Sequence, residues 1–325
     1  MAVYEKILPA QLKKQTLLLG RWTIKQLHGK SVLYTTNLGS LIKFHLQASP
    51  VLKIEALDNG NPQMPPQYWA VRVNHGNWQR CSTRNAPFEL SLPDNAEVEI
   101  IAAGNTDLDD VWLGNQGLAV AAISIADQAV MTPPKPQKRV TVIGDSITAG
   151  CWVNGKRPST DYRPESCYIG LVSDALGIDV DRIAYSAGGI LRAAVGNVPP
   201  AAQFLSHLDA QTPWHPSVMP KLVLINLGVN DRRFASQQFQ KAYSAFVKQV
   251  KAAYPNVPLA LMVPFAQTYA DIIEETALEC HTEFVPTKNW CQSFTDGLHP
   301  DQQGSLQIAQ HLTPVLAELL NQNQQ

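Results

Sequence analysis

Alternating hydrophobic and polar positions dominate roughly the first 130 residues of the chain. Short segments rich in β-branched and aromatic residues are separated by clusters of Gly, Asn, Pro and Asp, a pattern typical of strands joined by turns. No convincing helical period interrupts them. We therefore predict an all-β jelly roll or β-sandwich over residues 1–130. Its predicted strands are 41–46, 51–57, 68–73, 88–92, 97–102 and 118–124.

A proline-rich segment follows at residues 131–138. Pro133, Pro134 and Pro136 cannot support regular structure, so we predict a stiff extended linker there.

Beyond this segment the hydrophobic period changes. Short apolar runs alternate with amphipathic stretches, which predicts an α/β domain over residues 139–325 with a parallel sheet covered on both faces. The predicted strands are 139–144, 182–186, 222–227 and 258–263, and the predicted helices are 168–176, 234–254, 269–280 and 302–320.

Composition and charge exclude several classes of partner. The formal net charge is −1 and no basic cluster is present, so nothing attracts nucleic acid or an anionic membrane. Apolar runs are far shorter than the ~20 residues needed to span a bilayer. Partners selected by bulk electrostatics are therefore not expected.

Cysteine usage and the N-terminal residues predict a cytoplasmic location. Five cysteines, an odd number without Cys-x-x-Cys spacing, suggest free thiols in a reducing compartment. The first residues lack the pattern of a signal peptide. His and Cys show no metal-ligand spacing, and we expect no metal and no cofactor.

Ser146 is the first residue with candidate chemistry. It lies in Gly-Asp-Ser at 144–146, directly after a predicted strand and therefore at the carboxyl edge of the sheet, where active sites of such folds lie. Its backbone N–H there could hold an oxyanion, but its hydroxyl needs a neighbouring base. Taken alone, the segment fits a helix N-cap equally well.

Two later segments could supply the partners of Ser146. Residues 226–231 close another strand, and an Asn there offers an amide donor for an oxyanion or is simply a turn residue. Asp296 precedes His299 by three residues and could fold back to hold its Nδ1–H, leaving Nε2 free to accept a proton. A solvated Asp and His in a loop is the alternative.

The order of these segments resembles the SGNH (GDSL-type) hydrolases, whose catalytic domain has a flavodoxin-like parallel sheet. The resemblance of residues 144–146 to the nucleophile block implies that Ser146 is the nucleophile and an oxyanion donor. Residues 296–299 resemble the final block, which makes His299 the base and Asp296 its orienting partner.

Two further blocks supply the oxyanion hole in this family. Gly-x-Asn-Asp at 228–231 resembles the block whose asparagine donates to the oxyanion, which implies this role for Asn230. Tyr-Ser-Ala-Gly-Gly-Ile at 185–190 resembles the glycine block more loosely. It implies a backbone donor at Gly188, with Gly189 as the alternative.

A β-rich domain ahead of such a hydrolase domain is similar to the family-two carbohydrate esterases, in which a jelly roll packs on the catalytic domain. The resemblance implies a carboxylic ester hydrolase that cleaves short acyl esters, acetyl above all, from carbohydrates through a Ser-His-Asp triad and an acyl-enzyme. It also implies that residues 1–130 are similar to a carbohydrate-binding domain and that the partner is a small-molecule or oligosaccharide ester. Some relatives lack the triad aspartate, and the contact of Asp296 with His299 stays open.

Two other functions are compatible with the sequence. A lysophospholipase or acyl-thioesterase uses the same scaffold, although no long apolar lid is evident. A catalytically inactive carbohydrate-binding protein is a remote alternative. The β domain could bind glycan, shape the pocket or build a homo-oligomer, and Trp152 or Trp290 could stack on a sugar or merely pack.

Overall fold

The computed structural model describes residues 4–322, which form a β-rich part followed by an alternating α/β part. The β-rich part contains β1 (Tyr4–Ile7), α1 (Pro9–Gln15), β2 (Leu17–Leu19), β3 (Thr23–Leu27), β4 (Lys30–Thr35), β5 (Leu41–Gln47), β6 (Val51–Ala56), β7 (Tyr68–Val73), β8 (Gln79–Ser82), a 3-10 turn (Thr83–Asn85), β9 (Phe88–Ser91), β10 (Asn95–Gly104), β11 (Leu118–Ala126) and β12 (Val130–Thr132). The α/β part contains β13 (Arg139–Gly144), α2 (Ser146–Ala149), α3 (Tyr168–Leu176), β14 (Asp179–Ala184), α4 (Ala201–Phe204), β15 (His207–Asp209), β16 (Thr212–Pro213), β17 (Leu222–Asn226), a 3-10 turn (Val229–Asp231), α5 (Ser236–Ala253), β18 (Leu259–Met262), α6 (Ala270–Cys280), β19 (Glu283–Val285) and α7 (Gln302–Gln322).

Two six-stranded antiparallel sheets make up the β-rich part. One has the order β3-β4-β11-β6-β9 with β1 paired to β11, and the other has the order β12-β5-β10-β7-β8 with β2 paired to β5. Side chains alternate across each strand, so that Ile42, Phe44 and Leu46 of β5 are buried while the residues between them are more exposed. They share one hydrophobic core with residues of β6, β7, β10 and β11.

The six strands predicted from alternation are confirmed, but the expectation of a part without helices is wrong. Helix α1 begins with Pro9, a residue whose missing N–H is tolerated at a first helical position. The helix buries Leu12 in the core. Seven residues are too few for a clear helical period, so the sequence pattern does not indicate this helix.

Strand β12 includes the first two residues of the predicted linker. It pairs with β5, where Val130 lies opposite Gln47, and ends before Pro133 because proline cannot donate to a ladder. Residues 133–138 have no regular structure. The predicted domain boundaries themselves stay a prediction.

The α/β part is built on a five-stranded parallel sheet of order β14-β13-β17-β18-β19. Successive residues of each strand face opposite layers. Val142 and Leu224 pack with α3 and α7, whereas Ile143 and Ile225 pack with α5 and α6. The predicted α/β fold with helices on both faces is confirmed, and the carboxyl ends of its strands lie at one edge.

Charged groups join the two parts closely. Lys25 contacts Asp209 at 2.6 Å, and Arg72 binds Asp174 through two hydrogen bonds of 2.7 and 2.8 Å.

All five cysteines are unpaired, as predicted. Between residues 4 and 322, no helix combines the length and the apolar character needed to cross a membrane.

Candidate active site

Ser146 is the first residue of α2, immediately after β13 ends. The residue that caps this helix is Asp145, whose Oδ1 accepts a hydrogen bond of 2.9 Å from the Ile147 N–H. The helix-cap alternative for Ser146 is therefore wrong, because its neighbour fills that role. The Ser146 side chain is free to contact a base.

That base position is occupied by His299. The Ser146 Oγ lies 2.8 Å from His299 Nε2, and His299 Nδ1 lies 2.8 Å from Asp296 Oδ2. Since an ionised carboxylate only accepts hydrogen bonds, Nδ1 carries the proton and Nε2 accepts from the serine hydroxyl. The structure thus brings together the three residues that the sequence predicts, and Asp296 contacts His299 directly.

Asp296 holds both the backbone and the ring of His299. Its Oδ1 accepts from the His299 N–H at 2.8 Å and from the Leu298 N–H at 3.1 Å. Burial by itself raises the pKa of the Asp296 carboxyl, but the hydrogen bonds from His299 outweigh it and the net pKa lies below the usual value. The carboxylate is therefore ionised at neutral pH and stabilises a positively charged imidazole.

Asn230 lies next to the turn at residues 185–188, which we call the oxyanion turn after the role that the family resemblance implies for it. The Asn230 Nδ2 donates to the Gly188 carbonyl at 2.9 Å. The other asparagine of this region, Asn226, donates instead to the carbonyls of Met262 and Val263. One hydrogen of the Asn230 amide remains for another acceptor, because an amide nitrogen carries two.

The two glycines assigned to the oxyanion hole already use their N–H groups. Gly188 donates to the Tyr185 carbonyl at 3.0 Å and Gly189 donates to the Arg192 carbonyl at 3.1 Å. Ala187, which lies between Tyr185 and Gly188 in the same turn, has a left-handed φ of 59°. Its N–H has no acceptor within residues 4–322, as expected for the third residue of a turn closed by Tyr185 and Gly188.

Asp231 fixes the segment that follows the oxyanion turn. Its carboxylate accepts from the N–H groups of Ile190, Leu191 and Arg192 at 2.8, 2.9 and 3.0 Å. A Cβ on Gly189 would lie 2.5 Å from Asp231 Oδ1, so only glycine fits there. Burial raises the pKa of Asp231 despite these donors.

Two polar residues near the catalytic centre were missed by the sequence analysis. Asp107 lies in the β10–β11 loop (residues 105–117), and burial raises its pKa while Ser186, His299 and Arg192 act in the opposite direction. Arg192 Nη1 lies 3.5 Å from Asn230 Oδ1. No sequence signal marks Asp107, because a loop with several aspartates is usually solvated.

Of the two tryptophans considered for stacking, Trp152 lies near the catalytic centre. Its ring centroid is 6.1 Å from that of His299, and its side chain is half-buried. Trp290 stacks on His311 of α7 at 5.4 Å instead. Within the described range, no group of three or more His, Cys, Asp or Glu is placed to hold a metal.

Comparison with known families decides the class of this site. The model of the GDSL-like lipase/acylhydrolase family matches residues 142–306, which include Ser146, Asn230, Asp296 and His299. The chain belongs to this family. It is a carboxylic ester hydrolase, as the resemblance implied.

Individual relatives are more distant. The hydrolase is 23% identical over 232 residues to the "Acetylxylan esterase / glucomannan deacetylase" of Cellvibrio japonicus, a match that covers 65% of this chain and 64% of that protein. A family two carbohydrate esterase structure from Cellvibrio japonicus aligns with 99% of both chains at a TM-score of 0.81 and 17% identity. A second such structure, from Clostridium thermocellum in complex with cellohexaose, aligns with 94% of this chain and 99% of that chain. Its TM-score is 0.78 and its sequence identity is 16%. At such identities the structures establish a shared fold across both parts.

Replacing Ala187 by glycine tests the left-handed turn. An alanine with positive φ costs roughly 1 kcal/mol, which glycine relieves while it keeps the N–H. We expect Ala187→Gly to raise the free energy of unfolding by about 0.5–1 kcal/mol in urea melts, with esterase activity preserved. Ala194→Gly, at a loop residue outside the left-handed region, should instead lower it. A loss of stability in both variants would contradict the turn geometry.

Asp145 predicts a pH dependence of stability. Burial raises its pKa to about 7, the Ile147 N–H opposes this and the charge of Asp231 adds to it. The folded state holds the Asp145 proton more tightly than the unfolded state does. Protonation of Asp145 therefore contributes to the free energy of unfolding in full below about pH 4, and this contribution is lost as the pH rises through 7. Asp145→Asn keeps an acceptor for the cap without ionising. Denaturant melts at pH 4–8 should show that the free energy of unfolding of Asp145→Asn exceeds that of the wild type by an amount that grows with pH. A difference that stays constant over this range would contradict the raised pKa of Asp145.

Proposed function

We propose that this hydrolase is a serine esterase that removes short acyl groups, acetyl above all, from esterified carbohydrates. The observation that carries the proposal is the continuous contact of Ser146 Oγ with His299 and of His299 with Asp296, each at 2.8 Å. Ser146 and His299 are both largely buried, which strengthens their interaction by excluding water.

The proposed mechanism assigns one role to each of these residues. His299 Nε2 accepts the Ser146 proton as Oγ attacks the ester carbonyl, while Asp296 stabilises the imidazolium. The tetrahedral intermediate collapses to an acyl-enzyme as His299 returns the proton to the leaving alcohol. Water, activated by the same histidine, then releases the acid and restores Ser146.

We propose three donors for the oxyanion: the Ser146 N–H, the remaining hydrogen of the Asn230 amide, and the N–H of Ala187. Ala187 replaces Gly188 in this assignment because the Gly188 N–H is engaged with Tyr185. The contribution of Gly188 is then its carbonyl, which orients the Asn230 amide. N–H donors whose orientation is fixed before the reaction need no reorganisation when the oxyanion forms in the transition state.

The alcohol side of the substrate supports a carbohydrate ester. Since His299 protonates the leaving oxygen, residues beside its ring flank the alcohol rather than the acyl group. Trp152 offers an aromatic face there, and Asp107, which interacts electrostatically with His299, offers a carboxyl group that suits hydroxyls. The names of the Cellvibrio relative and the cellohexaose complex of the Clostridium structure agree with this class.

The likeness over both parts also supports the predicted organisation. We propose that residues 1–130 form a jelly-roll domain, 131–138 a linker and 139–325 the hydrolase domain. Contacts such as Lys25 with Asp209 favour a β domain that shapes the site over one that binds glycan independently.

A series of acyl chain lengths tests the proposed substrate class. We expect p-nitrophenyl acetate to be the best aryl ester, with kcat/KM lower by about tenfold or more for the octanoate, and acetate release from acetylated xylan and glucomannan oligosaccharides. One methylene group changes the binding free energy by only ~1–3 kcal/mol. A series of acyl chain lengths is therefore needed rather than a single pair of esters. Ser146→Ala should abolish every activity.

The other functions predict different results in the same assays. An optimum at octanoate or longer would indicate a lysophospholipase or acyl-thioesterase. A chain that neither hydrolyses esters nor reacts with a fluorophosphonate at Ser146 would be a catalytically inactive binding protein.

Asp296→Asn tests whether the enzyme depends on the full triad. Asparagine can donate to Nδ1 and stabilise the wrong imidazole tautomer, so we expect kcat to fall by ~10²–10⁴-fold with little change in KM. Asp301→Asn is a matched control, because Asp301 contacts Ser293 and Gly304 rather than His299. Equal effects of both substitutions on kcat would show that Asp296 has only a structural role.

A further inference from the structure

We propose that Arg21, in the β-rich part, is a positioning residue for the oxyanion turn. The guanidinium holds Tyr185, the first residue of that turn, and so makes the β-rich part a component of the catalytic machinery. This inference rests on the proposed function, because the turn matters for catalysis only if it donates to an oxyanion.

Arg21 is buried completely at the boundary between the two parts. Its Nε donates to Asn37 Oδ1 at 2.7 Å and its Nη2 donates to the Tyr185 hydroxyl at 2.6 Å. Its Nη1 donates to the carbonyls of Phe204 and His207, both at 2.6 Å. Four of the five N–H groups of the guanidinium are therefore used, and three of the four acceptors belong to the α/β part.

The same contacts extend to the end of β14, where the oxyanion turn begins. Asn37, oriented by Arg21, donates through Nδ2 to the carbonyl of Ala184, the last residue of that strand. The Tyr185 hydroxyl also lies 2.8 Å from Thr36 Oγ1. The side chain of Tyr185 is thus anchored by the β-rich part, while its carbonyl accepts the Gly188 N–H that closes the turn.

Burial makes this set of contacts rigid. A guanidinium without water is strongly destabilised unless its donors are paired, so loss of one acceptor leaves an unsatisfied buried charge. The turn therefore has one favourable position relative to Arg21. An oxyanion donor must lie within a few tenths of an ångström of its position in the transition state, and a displacement of about 1 Å costs ~10²-fold in rate.

A clamp that only stabilises the fold would predict a different outcome. It would lower the melting temperature and the yield of folded enzyme, but each correctly folded molecule would turn over at the normal rate. Positioning of the oxyanion turn instead predicts a lower kcat per active site with KM nearly unchanged, and weaker binding of a tetrahedral analogue.

The experiment measures Tyr185→Phe, Arg21→Met and the double variant. Tyr185→Phe severs the contact while the guanidinium stays in place, so the decision does not depend on whether Arg21→Met folds. Tyr243→Phe is the matched control, because Tyr243 is also fully buried and its hydroxyl has no partner among the described residues. Active sites are counted with a fluorophosphonate, and p-nitrophenyl acetate and phenylboronic acid serve as substrate and tetrahedral analogue.

We expect Tyr185→Phe to lower kcat per active site by about tenfold, with KM within about threefold of the wild type, and the inhibition constant of the boronic acid to rise by the same factor as kcat falls. The double variant should lose little more kcat than Arg21→Met alone, since both substitutions remove the Arg21–Tyr185 hydrogen bond. Tyr243→Phe should leave kcat unchanged.

Normal kcat per active site in Tyr185→Phe would overturn the inference while leaving the proposed esterase intact, and so would an equal loss in Tyr243→Phe. A wild-type enzyme that hydrolyses none of the esters would overturn the proposed function and this inference together.

Discussion

The parallel pairing of β13 with β14 and β17 determines where everything else in the site lies. Its register places Gly144 between Ala184 on one side and Asn226 on the other, so three strands end in one row. The chain leaves these ends toward Ser146, the oxyanion turn and Asn230. Because parallel strands present the same end at the same edge, segments distant in sequence converge without any special contact between them.

Buried carboxylates stabilise the segments that follow the carboxyl ends of these three strands. Asp145 caps the helix that begins at Ser146, and Asp231 binds three consecutive N–H groups beside the oxyanion turn. Each costs desolvation energy, as their raised pKa values indicate. In return, loops that carry no repeating hydrogen bonds acquire one conformation, with Asn230 bound to the carbonyl of Gly188. The β-rich part completes this arrangement through Arg21, which donates to the Tyr185 hydroxyl.

Much of the fold was predictable from local pattern. Strands buried on one face alternate, strands buried on both faces are continuously apolar, and the stripe of Phe239, Tyr243, Phe246 and Val250 marks α5. The failures have physical causes too. Helix α1 is too short for a period, and β14 begins at Asp179, three residues before the predicted strand, because buried charged residues hide its first half. The paired charges that make this burial possible come from elsewhere in the chain.

The sequence by itself determined the family and singled out Ser146, His299, Asp296 and Asn230 as candidate site residues, since each lies in a short motif whose chemistry is local. Tertiary structure decided which backbone donor is free, because the engagement of Gly188 depends on a turn conformation that its residue type does not specify. It also decided that Arg21 meets Tyr185, 164 positions away. Contacts at that separation leave no periodic or motif signal, because a buried polar pair is created only when two distant surfaces pack together.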